Sequence, residues 1–186
     1  MMLIGVERGP LLPTVMARAA LDAGRSDRLL CAVISLSLLV GLRKAEVTGL
    51  LLRDWHPGDD PHVVIHGKWQ VRKIHVAETA AEAVNDHLAG VQAEPDDPLF
   101  LGGREAVRSY RIARIFQEKM REVDLRVTLS DLRRAAMEVA VTNGVPLAHV
   151  GEYFGLSNPS GIGRLTPLPE GFDKEISSLL EEKFIP

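Results

Sequence analysis

Cysteine is almost absent from this chain of 186 residues, which excludes two common ways of stabilising a small fold. The single Cys31 can form neither an intramolecular disulfide nor a zinc site built from cysteines, and this is typical of a reducing cytoplasm. The amino terminus lacks the basic and apolar segments of a secretion signal. The apolar run of residues 29–42 is shorter than the roughly 20 residues that span a bilayer. We therefore expect a cytoplasmic protein with no membrane partner.

Aromatic residues and net positive charge are also scarce. Aromatic residues form 5% of the chain, so any chemistry that needs a tyrosine has two candidates, Tyr110 and Tyr153. The formal net charge is −3, which excludes a polycation that binds nucleic acid through bulk charge. Residues 1–134 nevertheless carry 19 lysines and arginines against 18 acidic residues, whereas residues 135–186 carry 3 against 7. The composition of the first 134 residues is therefore compatible with a local basic face.

Apolar and charged residues, at 46% and 25%, are close to the average of globular domains, so a substantial core is expected. Most segments show apolar residues at helical spacing, and two short runs read as strands. The expected helices cover residues 12–23, 28–41, 44–52, 78–90, 104–122, 129–143 and 146–155. The strands are His62–His66 and Val71–Val76, joined as a hairpin through residues 67–70. The predicted fold class is mainly α with a small antiparallel β-sheet, in one domain covering residues 1–171.

The chain ends in an acidic amphipathic helix, residues 172–186, after a segment rich in glycine, proline and serine. Its apolar stripe is formed by Phe172, Ile176, Leu179, Leu180 and Phe184. An exposed stripe of that size favours association. The helix therefore either packs back on its own domain or docks on another molecule.

Positive charge concentrates on the predicted helix 104–122. Arg104, Arg108, Arg111 and Arg114 recur at intervals of three or four residues, which places them on one side of the helix. Arginines in that arrangement can contact the phosphates of a nucleic acid. Composition alone fits a solvated helix face equally well.

One arginine, Arg43, directly follows the apolar helix and a Gly-Leu pair, and Glu46 stands three residues on. An arginine is costly to bury, and this glutamate can pair with it. Alone the pattern describes a helix cap with a salt bridge, but further motifs follow along the chain. They are a hairpin with Gly67-Lys68, a long helix, Ser130-Asp131-Leu132-Arg133, Asn143-Gly144-Val145 and Phe154-Gly155.

This order of motifs resembles the catalytic domain of tyrosine recombinases, the phage integrase family, over roughly residues 10–165. In that family two arginines, a hairpin lysine, two histidines (the second sometimes tryptophan) and a tyrosine surround the scissile phosphate. The arginines hold the non-bridging oxygens, lysine and histidine assist proton transfer, and the tyrosine attacks phosphorus to form a covalent intermediate. The resemblance implies that neither a metal nor another cofactor is needed.

The resemblance assigns phosphate-binding cations to this chain. Arg43 matches the first arginine, supported by Glu46, and Arg133 matches the second, with Asp131 as a further supporting carboxylate. The hairpin lysine is matched by Lys68, with Lys73 as the fallback. The DNA phosphate-binding residues that we predict are Arg43, Lys68, Lys73, Arg104, Arg108, Arg111, Arg133 and Arg134.

The acid–base and nucleophile positions depart from the family. Ser130 stands where the family has histidine, Leu156 stands where it has histidine or tryptophan, and the count to the nucleophile ends on Leu165. Tyr153 precedes that position and is interpreted as a packing residue, because displacing an attacking oxygen by even ~1 Å is costly. We therefore predict a catalytically inactive, recombinase-like protein that binds DNA and regulates recombination, integration or transcription of a mobile element.

The sequence is also compatible with two alternative functions. One is an active site-specific recombinase whose nucleophile is displaced to Tyr153 or Tyr110. The other is a protein that docks on a full-length recombinase, or on a second copy of the chain, through residues 172–186 without binding DNA. The acidic tail favours this second alternative.

Ala140, Gly144 and Val150 have the spacing of a helix-turn-helix. Residues 147–154 contain no arginine, lysine, asparagine or glutamine that could contact base edges. The two helices are therefore expected to serve as scaffold.

Three histidines of the predicted hairpin, His62, His66 and His75, raise the alternative of a metal site. A zinc site needs three or four converging ligands and residues that orient them. A solvated hairpin face is the favoured interpretation, and no metal is predicted.

Overall fold

The structure is a computed structural model that describes residues 12–67, 71–156 and 168–186. These ranges contain eight α-helices and a three-stranded antiparallel sheet in the order β1-β2-β3. The predicted class, mainly α with a small antiparallel sheet, is thereby confirmed. The helices are α1 (Thr14–Gly24), α2 (Arg28–Leu38), α3 (Lys44–Gly49), α4 (Glu78–Leu88), α5 (Glu105–Glu122), α6 (Leu129–Thr142), α7 (Leu147–Tyr153) and α8 (Phe172–Phe184), and the strands are β1 (Trp55–His56), β2 (His62–His66) and β3 (Val71–His75).

The centre of the core is α2, which the sequence predicts to be a buried helix. Every residue from Ala32 to Leu42 is buried, and α2 packs against α1, α4 and α6. Asp27 begins the helix, because its Oδ1 accepts a hydrogen bond from the N–H of Leu30 at 3.1 Å. Among the helices of the described ranges, none has both the length and the apolar character needed to cross a bilayer.

A left-handed glycine turns the chain from α2 into α3. Gly41 has a φ of +74°, and the N–H of Leu42 donates to the carbonyl of Leu36 at 3.0 Å. Glycine adopts this conformation without strain, and any larger residue here would also overlap the ring of Phe154. The turn leaves Arg43 as the N-cap residue of α3, exposed at the surface.

The sheet separates two faces with different surroundings. Strand β3 pairs with β2 so that Ile65 lies opposite Arg72 and Val64 lies opposite Lys73. Because successive side chains of a strand point to opposite faces, Arg72 faces the core and Lys73 faces away from it. The predicted hairpin is confirmed. The two-residue strand β1 was not predicted, because two residues are too few to show an alternating pattern.

Helix α8 packs on its own domain, which is one of the two placements that its apolar stripe allows. Ile176, Leu180 and Phe184 are buried, and the helix contacts α1, α6 and β3. The stripe is therefore covered within the chain. Of the preceding segment predicted to be irregular, residues 157–167 lie outside the described ranges.

Three hydrogen bonds fix the position of α8 along its length. Asp173 Oδ2 accepts from the backbone N–H of His75 at 2.9 Å, at the free edge of the sheet. Glu181 Oε1 accepts from a backbone N–H in the first turn of α4 at 2.6 Å, where the local N-cap residue is an alanine without a capping side chain. Arg18 Nη2 donates to the carbonyl of Lys183 at 2.7 Å, in the last turn of α8.

Candidate functional site

An open surface depression lies where the start of α3 meets α6. Its volume is about 490 Å³, and cationic side chains dominate its rim. A concave, positively charged surface of this kind attracts anions. The lining residues are Arg43, Lys44, Ala45, Ser130, Arg133, Arg134 and Met137.

Arg43 is the exposed arginine of this depression. Its backbone N–H donates to Glu46 Oε2 at 2.8 Å, so that Glu46 closes the first turn of α3. Its guanidinium Nη2 donates to the carbonyl of Gly155, just beyond α7. The sequence-predicted pairing of Arg43 with Glu46 therefore involves the backbone of Arg43, and its charged group reaches α7 instead.

Arg133, on α6, is buried with only 10% of its side chain exposed. Nη1 donates to the carbonyl of Gly41, Nη2 donates to that of Phe154 at 2.7 Å, and Glu46 Oε2 lies 3.8 Å from Nη1. The guanidinium carbon lies over the Phe154 ring, 5.6 Å from the ring centroid. Burial lowers the pKa of Arg133 to about 10, so the group remains a cation at neutral pH.

Arg72, which was not predicted from the sequence, completes the cluster. Its Nη2 forms a salt bridge with Glu46 Oε1, its Nη1 donates to the carbonyl of Tyr153, and 7% of its side chain is exposed. Glu46 thus lies between Arg72 and Arg133. The strand pattern indicates this position, because residue 72 lies on the same face of β3 as the buried Ile74 and a charge on a core face requires a partner.

Gly155 allows Arg72 to approach the backbone at the end of α7. Its φ is +61°, and a Cβ at this position would lie 2.6 Å from the Arg72 guanidinium carbon. A side chain would therefore be strained and would also displace the arginine.

The hairpin lysines are not part of the described cluster. Lys68 lies outside the described residues. Lys73, the fallback, lies on the opposite face of β3 from Arg72, and its Nζ is 3.2 Å from Asp60. The expectation that Lys73 joins Arg43 and Arg133 is therefore wrong, because strand alternation directs it away from them.

Ser130 and Arg134 line the depression, whereas Asp131 does not support Arg133. Asp131 Oδ2 accepts from the backbone N–H of Thr128 at 2.9 Å and closes a capping box at the start of α6. Its Oδ1 lies 3.3 Å from Arg134 Nη2. The carboxylate that lies near Arg133 is Glu46 rather than Asp131.

The four arginines at the N-cap and in the first half of α5 divide into two groups, which corrects the expectation of one shared face. Arg108 is buried, donating from Nε to the carbonyl of Thr48 at 3.0 Å and from Nη1 to that of Gly103. It is the first residue on the buried side of α5, so its side chain is not available to contact a DNA phosphate at the surface. Arg104, Arg111 and Arg114 are exposed.

The two tyrosines differ in exposure. Tyr153 is buried at 1% exposure, as its interpretation as a packing residue predicts, and burial raises the pKa of its phenol. Its hydroxyl has no hydrogen-bond partner among the described residues. Tyr110 is 68% exposed on α5. Leu156 is half-buried against the core, and Leu165, the expected nucleophile position, lies outside the described ranges.

The hairpin histidines contact different partners. His62 stacks on His56 with 4.5 Å between ring centroids, and His66 Nε2 lies 3.0 Å from Asp54 Oδ1. His75 Nδ1 lies 3.3 Å from Asp60 Oδ1. Within the described ranges, histidine, cysteine and acidic side chains do not gather in threes that could hold a metal ion.

No protein-family model and no curated protein matches this sequence. The fold matches solved structures of recombinases and integrases. XerA recombinase superposes over 100% of this chain and 69% of its own, with 18% identity and a TM-score of 0.68. XerH site-specific recombinase bound to its difH substrate superposes over 85% of this chain and 50% of its own, with 16% identity and a TM-score of 0.62. A lambda integrase dimer bound to a COC' core site superposes over 86% of this chain and 62% of its own, with 12% identity and a TM-score of 0.59. The chain thus spans half to about two thirds of these proteins, and it has the fold of a tyrosine recombinase catalytic domain.

Proposed function

We propose that this chain binds DNA through the depression around Arg43 as a recombinase-like domain that does not cleave strands. Its role would be to modulate recombination, integration or transcription of a mobile element. One observation carries the proposal: Arg43, Lys44, Arg133 and Arg134 converge on one open surface from two elements that are far apart in sequence. Two of the three structural neighbours described above are complexes with DNA, and their fold is shared by this chain.

The exposed cations support phosphate contact. Arg43 and Lys44 are exposed and Arg134 is half-exposed, whereas Arg133 forms the floor of the depression. Exposed arginine and lysine neutralise DNA phosphates and release the counterions bound there. The hydroxyl of Ser130, exposed on the same surface, can donate a further hydrogen bond to a phosphate oxygen.

The residues at the family's acid–base positions support the absence of strand cleavage. Ser130 and Leu156 lack a group that exchanges protons near neutral pH. Tyr153 is buried, and the raised pKa of its phenol opposes formation of the phenolate that would attack phosphorus. Chemistry at the phosphate would therefore lack both a proton shuttle and an attacking oxygen among these residues.

Binding to duplex DNA at several salt concentrations tests the proposal by fluorescence anisotropy. The Arg43→Ala, Arg134→Ala double variant should bind more weakly, and the slope of log affinity against log salt should shrink by about 2. Arg53→Ala is the matched control, since Arg53 is exposed, pairs with Asp96 and does not line the depression. Absence of binding at low salt, or equal losses in control and double variant, would overturn the proposal.

A nicked suicide duplex, which traps covalent intermediates, tests the absence of cleavage. We expect no covalent adduct. An adduct that disappears in Tyr153→Phe or Tyr110→Phe would instead establish an active enzyme with a displaced nucleophile.

A further inference from the structure

Three successive carbonyl groups at the end of α7 each accept a hydrogen bond from a different arginine. The arginines come from separate elements: β3, α6 and the N-cap of α3. Carbonyls at a helix carboxyl terminus lack partners within the helix and carry the negative end of its dipole, so they stabilise cations. The pairs are Arg72 with Tyr153, Arg133 with Phe154, and Arg43 with Gly155.

The three contacts differ in how readily they can be exchanged. Arg72 and Arg133 are 7% and 10% exposed, and both lie beside Glu46, so an external anion does not reach them freely. Arg43 is exposed, and its side chain lines the depression. Among the three, Arg43 alone can replace its carbonyl partner with an anion from solution.

The contact with Gly155 competes with anion binding. A guanidinium holds a phosphate best through two parallel N–H groups. These come either from Nη1 and Nη2 or from Nε and Nη2, so Nη2 belongs to both pairs. Arg43 uses Nη2 for the carbonyl of Gly155. One of these two donor pairs is therefore already occupied by the protein itself.

We infer that the carboxyl end of α7 is an internal substitute for phosphate, so that an anion bound by Arg43 displaces the Gly155 carbonyl and loosens the last turn of α7. This inference rests on the proposed function, because it concerns the same arginine site. Binding and the order of α7 are then coupled in both directions. An anion that takes the Nη2 N–H donated to Gly155 has to displace an existing contact, which lowers its apparent affinity.

The amides of the last turn report on this coupling. The N–H of Phe154 donates to Val150, that of Gly155 donates to Glu152, and that of Leu156 donates to Gly151 at 2.8 Å. Loss of the charge-assisted contact to Arg43 removes an anchor from this turn. We expect these amides to exchange with solvent about ten-fold faster when the site is occupied.

Hydrogen–deuterium exchange read by mass spectrometry on a peptide covering residues 150–156 tests the inference. The full chain is measured alone, with duplex DNA and with inorganic phosphate. Both ligands should accelerate exchange in this peptide. In Arg43→Ala the exchange should already be fast without ligand, and neither ligand should change it further. Arg53→Ala, which removes an exposed cation outside the depression, should keep the slow exchange of the free protein.

The outcomes separate the inference from the proposed function. Acceleration by phosphate without any binding of DNA would support the inference and overturn the function. Binding of DNA with unchanged or slower exchange in residues 150–156 would overturn the inference and leave the function standing. If neither ligand binds, or if Arg43→Ala exchanges like the unmodified chain, the displacement does not occur and the inference is wrong.

Discussion

Replacing Glu46 by glutamine tests whether one carboxylate holds the arginine cluster together. Glu46 is 14% exposed and lies between Arg72 and Arg133, which are more deeply buried. Glutamine keeps the shape of the side chain, but its single carbonyl oxygen can accept from only one of the two donors that Glu46 bonds, the Arg43 N–H or Arg72 Nη2. It also removes the negative charge that offsets two guanidinium groups.

The expected loss follows from the partners that remain. Removing one partner of a buried ion pair costs about 3–5 kcal/mol, because an uncompensated charge stays behind. The carbonyls of Gly41, Tyr153 and Phe154 continue to accept from the two arginines, which favours the lower end of that range. We expect Glu46→Gln to lower the free energy of unfolding by about 3 kcal/mol. For a chain of 186 residues this lowers Tm by about 6–12 °C.

Urea unfolding followed by circular dichroism measures this loss. The matched control is Glu118→Gln, whose exposed salt bridge to Arg114 should contribute less than about 0.5 kcal/mol. Adding Arg72→Met to Glu46→Gln should recover part of the stability, because the apolar side chain removes one unpaired charge. A loss below about 1 kcal/mol in Glu46→Gln, or a double variant less stable than that single variant, would refute the reasoning.

Three further substitutions and one control are measured by the same unfolding assay. Gly155→Ala should destabilise the chain by about 1–3 kcal/mol, because its φ is +61° and the new methyl group meets Arg72; an unchanged urea midpoint would contradict this placement. Glu181→Ala should cost about 1 kcal/mol, since it removes the oxygen that caps α4, and the exposed Glu182→Ala should cost nothing measurable. Tyr153→Phe should leave stability unchanged or raise it, because its hydroxyl has no partner among the described residues; a loss above about 1 kcal/mol would show that the hydroxyl is bonded.

The part of the arginine site that is local in sequence could be predicted, and the part that is distant could not. Arg43 and Glu46 are three residues apart, so a contact across the first turn of α3 follows from helix geometry, although it involves the backbone N–H of Arg43 and not the guanidinium that was expected. Arg133 donates to Gly41 and Phe154, which are 92 and 21 residues away. Backbone carbonyls are present at every position of a sequence, so nothing in the residue types marks these two as arginine partners.

For Arg72 and Arg108 the sequence does contain an indication, because both residues fall in register with buried apolar positions. Arg108 stands four residues before Ile112 and eight before Phe116, on the buried side of α5. Arg72 stands two residues before the buried Ile74, on the same face of β3. An arginine that falls in register with a buried stripe is expected to bond to carbonyls or carboxylates inside the fold, and both do so.

The arginine site carries more positive charge than its exposed residues indicate. Arg43, Arg72 and Arg133 contribute three positive charges against one negative charge from Glu46, so two remain. Arg133 stays charged at neutral pH, since its lowered pKa is still about 10. Charges enclosed by protein are screened less by salt than exposed ones, so Arg72 and Arg133 can attract an anion in the depression without contacting it. The site therefore keeps a favourable field for phosphate although the protein's own carbonyls already occupy donors of all three arginines.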